Sequence, residues 1–240
     1  MDDPEGVDTA PPVVPVALGW RTREVERRAT HAVRFNDRDV GVVIVEQDPV
    51  ALAYADPAHA FTLPPGRFLR VNQAAGRVYD AKSTPHLDAL TAQAATALVD
   101  SVVRLLEGAG WARVPGDGTG AAAVQEAAQF ATSGKEGFGV THVGTWRVPR
   151  PGAPWAALPP GARRYPDQWD GVEALVSVRP VRSAPSAAEA RFILQVALED
   201  PRLGAELNEM VEARRQRRGG DMGTLAEWDA QPNEPLPLSR

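Results

Sequence analysis

The chain has 240 residues, 43% hydrophobic and 24% charged, and carries a net charge of −5. That is the composition of a globular protein with apolar material for a sizeable core. The acidic balance excludes a molecule built to coat nucleic acid or an anionic membrane. The absence of cysteine excludes disulfides, thiol catalysis and thiolate metal sites.

Lys82 and Lys135 are the only lysines, so arginine carries nearly all the positive charge, as the usage of a high-GC genome would give. The longest apolar run, Ala95 to Leu106, holds Asp100 and Arg104. It is too short and too charged to cross a bilayer, and no membrane span is expected. The opening MDDPEG lacks the basic and apolar stretches of a secretory signal. A cytoplasmic protein is expected if the chain starts there, and a periplasmic or extracellular one if that start is not the natural one.

Residues 1–12 are acidic, proline-rich and poor in large apolar groups, and read as a flexible arm. Val13 to Trp20 reads as an edge strand, because Pro15 lacks the donor that a central strand needs. THAVRF and VGVVIVEQ flank the turn formers Asn36 to Asp39, which predicts a hairpin. RFLRV and RVYDA flank Asn72 to Gly76 and predict a second. A long helix is expected from Pro85 to Glu107, with Thr84 as cap and Gly108 as stop. Its inner stripe would be Leu87, Leu90, Ala94, Leu98, Val102, Leu105 and Leu106.

Gly116, Gly118 and Gly120 lead into a second helix, to about residue 131. A strand follows over Gly137 to Val148, with Phe138, Val140, His142, Trp146 and Val148 alternating onto its buried side. Pro149 to Gly171 shows no regular pattern and is longer than most connections. Val172 to Val181 is another strand. Residues 187–199 are ambiguous: Phe192, Leu194, Val196 and Leu198 alternate, yet Ser186 and Glu189 form a capping-box pattern that tips the reading to helix. Asp200-Pro201 opens a clearer helix that ends at Gly219. AKSTP and VRSAP echo one another as strand-to-helix turn chemistry.

The expected fold is α+β: a mostly antiparallel sheet of about six strands, with the long helix and one or two others packed on one face. The expected organisation is an arm over 1–12, one domain over 13–219 and a tail over 220–240.

Five stretches carry candidate chemistry. The glycine loop has the spacing G-x-G-x-G, which fits neither a dinucleotide fingerprint nor a P-loop, and reads as a join. Lys82, Ser83, Thr84 and His86, with Lys135, would make an anion site if amides of a helix start lay beside them; helix capping is the plainer reading. His142 is placed as a core histidine rather than a general base. His31, His59, His86 and His142 lack metal-ligand spacing, so no metal and no cofactor is expected. Arg214 to Arg218 read as a solvated helix end suited to the dipole, not as a nucleic-acid surface.

The fifth stretch is the long loop. Trp155, Arg163, Arg164, Tyr165 and Trp169 are of the types enriched at binding hot spots, and its prolines limit the entropy lost on docking. The expectation is a non-catalytic module that binds another protein, such as an inhibitor, an immunity-type protein or an assembly subunit. The alternative is an enzyme acting on a small anionic substrate near Lys82 and His86.

Overall fold

The computed structural model describes residues 10–45, 49–115, 119–133, 139–149 and 171–229. The elements, in chain order, are β1 (Val13–Val16), α1 (Thr22–Arg28), β2 (Val40–Val45), β3 (Ala51–Tyr54), β4 (Phe61–Thr62), β5 (Phe68–Ala74), β6 (Arg77–Thr84) and α2 (Ala92–Gly108). Then come β7 (Ala112–Arg113), α3 (Gly120–Thr132), β8 (Thr141–Pro149), β9 (Gly171–Pro180), β10 (Phe192–Glu199), α4 (Pro201–Arg217) and α5 (Leu225–Asp229). The fold is α+β. A seven-stranded antiparallel sheet runs β2-β5-β6-β10-β9-β8-β7, and a small sheet runs β1-β3-β4.

The β5–β6 hairpin follows from its turn. Ala74 pairs with Arg77, which leaves Ala75 and Gly76 as a two-residue loop. Both have positive φ, 50° and 71°, the turn whose twist matches that of the flanking strands. β1 lies at an edge, as Pro15 requires, and pairs in parallel with β3. The hairpin expected around Asn36 to Asp39 does not form. β2 pairs with β5 instead, and Val33 and Phe35 are buried outside any strand.

α2 starts seven residues later than its sequence pattern suggests. Lys82 to Thr84 belong to β6, and Thr91 caps the helix by accepting a bond from the Ala94 amide at 3.2 Å. Its buried stripe is Ala95, Val99, Val102 and Leu106, while Leu87 is exposed and lies outside the helix. α3 is capped by Thr119 and buries Ala123, Val124, Ala127, Ala128 and Ala131; these small side chains let it sit close to β8 and β9. Trp111, just past α2, packs edge-on against Tyr54 and Phe61 at 5.2 and 5.7 Å, joining the small sheet to the helix end.

Residues 192–199 form a strand, not a helix. Ser186 and Glu189 do bond to each other, at 3.0 Å, but they close a turn before the strand. Phe192, Leu194, Val196 and Leu198 are all wholly buried, so alternation overrides the local cap signal. In β8 a bulge between His142 and Gly144 shifts the phase. Val143, Trp146 and Val148 point inward, while His142 and Val140 are exposed. A Cβ at Gly144 would come within 2.9 Å of the Trp146 ring, so the bulge needs glycine there.

α4 opens as Asp200-Pro201 predicts: Asp200 Oδ1 accepts from the Leu203 amide at 2.8 Å. It packs on β5 and β6, with Gly204 against the Tyr79 ring. The segment after α4 docks on the body. Asp39 and Gly223 exchange two bonds, Trp228 is buried, and Arg21 donates to the Trp228 carbonyl.

Candidate functional site

α3 covers one face of β8 and β9, and α2 packs against β10. Trp146, Val176, Val178, Leu194 and Val196 on the inner face of these strands are wholly buried. Side chains alternate along a strand. The outer face therefore carries Thr145, Leu175, Ser177 and Gln195, all half-buried, with Ala197 between them. Lys82 and Thr84 of β6 extend this face, through the pairing of Lys82 with Ala197.

One row across the outer face is acidic. Asn72, Asp80, Glu199, Glu173 and Arg147 stand opposite one another on five neighbouring strands. Directly opposed residues have Cβ atoms about 5 Å apart, so three carboxylates are side by side. The outer two have partners. Asn72 donates to Asp80, with Arg70 3.9 Å away, and Arg147 grips Glu173 at 2.6 and 2.7 Å. Glu199, in the middle, has no hydrogen bond or ion pair among the described residues. Burial pushes its carboxyl pKa up, and the neighbouring Asp80 and Glu173 add to this, while Lys82 opposes it. Burial also raises Asp80, against the pull of Lys82, Arg70 and Asn72.

The same row is where the long loop leaves the sheet. Val148 pairs with Val172 and Pro149 with Gly171, one and two positions beyond Arg147 and Glu173. The segment 150–170 therefore departs from and returns to adjacent strands beside the acidic row. Its Trp155, Arg163, Arg164, Tyr165 and Trp169 lie outside the described residues, as do Lys135, Gly116 and Gly118.

The residues Lys82, Ser83, Thr84 and His86 are split up by the strand. Ser83 points into the core, with its hydroxyl unbonded, whereas Lys82 and Thr84 are half-buried on the outer face. Among the described residues no helix start adjoins them. His86 is held on both sides: Nδ1–H donates to the Asp88 carbonyl at 2.7 Å, and Nε2 accepts the Leu194 amide at 3.0 Å. That pattern fixes the neutral tautomer, and burial holds its pKa below the ordinary imidazole range.

His142, exposed, lies 3.0 Å from the Thr145 hydroxyl. Among the described residues, no three His, Cys, Asp or Glu side chains group as metal ligands. No helix among them is long and apolar enough to cross a membrane.

Three of the four arginines of 214–218 are engaged rather than simply solvated, while Arg217 is exposed and bonds to the helix carbonyl of Ala213. Arg214 and Arg218 reach Glu227 at 3.3 and 2.5 Å, Arg215 lies 3.7 Å from buried Asp39, and Arg214 stacks over Trp228. They pin α5 to α4.

Sequence reading did not single out Asp80, Glu173, Glu199 or Arg147. Each is a polar residue at an ordinary alternating position, and only the register lines them up. Comparison with known protein families, curated proteins and solved structures finds no match to this chain.

Proposed function

We propose that the chain is a non-catalytic protein-binding module, of the kind an inhibitor, an immunity-type protein or a subunit of a larger assembly provides. The observation that supports this reading is the rooting of segment 150–170 at the pair Pro149–Gly171, at the margin of the outer face. A segment carrying two tryptophans, a tyrosine and three arginines offers anchor residues. The face beside it offers small and polar side chains on a rigid sheet, which suits a broad protein surface. The acidic row at the root favours a partner that presents basic groups there.

The alternative, an enzyme for a small anion near Lys82 and His86, has less support. Both ring nitrogens of His86 are taken by backbone groups, so it has no free site for proton transfer.

The test is recovery of partners from the native host on the full chain, against a variant whose residues 150–170 are replaced by a Gly/Ser linker. A stoichiometric protein that the full chain retains and the linker variant loses is expected. Equal recovery by both would remove the segment from the binding surface.

A further inference from the structure

The two edges of the seven-stranded sheet are unlike. At one end β7 has two residues and is followed by Pro115, so little of it is open to pairing. At the other end β2 runs for six residues, Val-Gly-Val-Val-Ile-Val, with no lysine, proline or charge along its length. Proteins ordinarily blunt such an edge with those devices.

The direction of the free groups of β2 follows from its pairing. The Ala75 amide donates to the Asp39 carbonyl, so Val40–Ala74 is a non-hydrogen-bonded pair. Gly41, Val43 and Val45 then bond to β5, while the N–H and C=O of Val40, Val42 and Ile44 point outward. Among the described residues nothing takes these six groups. The side chains of Val42 and Ile44 are 41% and 52% exposed.

We infer that β2 is a dimerisation edge that pairs antiparallel with β2 of a second copy. The outward residues are self-complementary about one two-fold axis at Val42. Val42 then exchanges both bonds with its own copy, and Val40 and Ile44 exchange theirs with Ile44 and Val40 of the other chain. All six groups are satisfied, and the exposed aliphatic side chains of the two chains meet on one face. Charge agrees with this register. Arg38, exposed and without an ion pair among the described residues, precedes the strand, and the sequence that follows Val45 is acidic (Glu46, Asp48). Antiparallel pairing sets the start of β2 at Val40 beside the end of β2 in the other copy. A strand pair of this length buries less than a standard interface and belongs with weak, transient associations, so the dimer is sought at high chain concentration, about 10–100 μM.

The test is sedimentation velocity of the full chain over that concentration range, beside V42P and I44K. The Val42 amide points away from β5, so proline there keeps the sheet and removes one donor per chain. The Ile44 side chain is half in solvent, so lysine is tolerated in the fold. Both variants are expected to unfold at temperatures close to that of the parent. The expected result is a mass rising from 25.7 kDa toward twice that value in the parent, and staying at one chain in both variants. A parent that remains one chain throughout overturns the inference. So does a dimer that survives both substitutions, because it would use another surface. Neither result bears on the role of segment 150–170.

Discussion

His86 is a residue whose chemistry is spent on structure. Its ring ties the stretch before α2 to β10 through the Leu194 amide, 108 positions away in sequence. Replacing it with alanine leaves that buried amide and the Asp88 carbonyl unpaired, at a cost of about 1–3 kcal/mol, to be read from urea unfolding. Its depressed pKa gives stability that is complete above the ordinary imidazole pKa and is lost as pH falls through that range, where the unfolded chain takes up the proton first. Glu199 and Asp80 have the opposite sign. Their raised pKa values mean that the folded chain holds those protons more tightly, so their contribution is greatest in mild acid and is lost as pH rises through the raised values. The change E199Q removes the central charge of the row. It is expected to raise Tm at pH 7 by about 2 °C, a small gain because the site is partly screened. The gain should shrink toward pH 4, and melting curves at the two pH values check it. None of this was legible from sequence. A histidine after Ser-Thr-Pro reads as helix-start chemistry, and three acids on three strands look like three solvated residues until the register is known.

At the level of elements, local signals succeeded where the turn or cap alone decides the outcome. Ala75-Gly76 sets the β5–β6 hairpin, and Asp200-Pro201 opens α4 where expected. D200A is expected to cost about 1 kcal/mol through loss of the bond to the Leu203 amide, a fall in Tm of about 2–4 °C in a chain of this size. Local signals failed where a tertiary neighbour outweighs them. The Ser186–Glu189 pair forms as a cap would, yet the four buried residues after it are drawn into the sheet between β6 and β9. The bulge at His142–Gly144 reverses the expected phase ahead of it and leaves Trp146 and Val148 inward, as expected. A strict two-residue period cannot anticipate one inserted position, and this is why His142 faces outward where alternation alone turns it inward. For α2, an apolar run continued across the approach to the helix, so the pattern could not mark where turning began.

For the whole molecule, composition and periodicity were enough to read an α+β fold with a mostly antiparallel sheet, because alternating and helical apolar stripes each need a buried face. The strand order was not legible. It places β10 between β6 and β9 and so assembles the outer face from strands more than 100 positions apart. The long loop was visible as a departure from pattern, but its root beside the acidic row depends on the β8–β9 register. Under the proposed function, the outer face and the segment rooted at its margin are one protein-binding surface. The most direct measurement is a calorimetric titration of the partner recovered from the host into the full chain and into L175R. Leu175 sits in the middle of the outer face, half-buried, opposite Ala197 and Thr145. L175R is expected to keep its fold and to bind at least about tenfold more weakly. Unchanged affinity in a folded L175R would contradict that proposal.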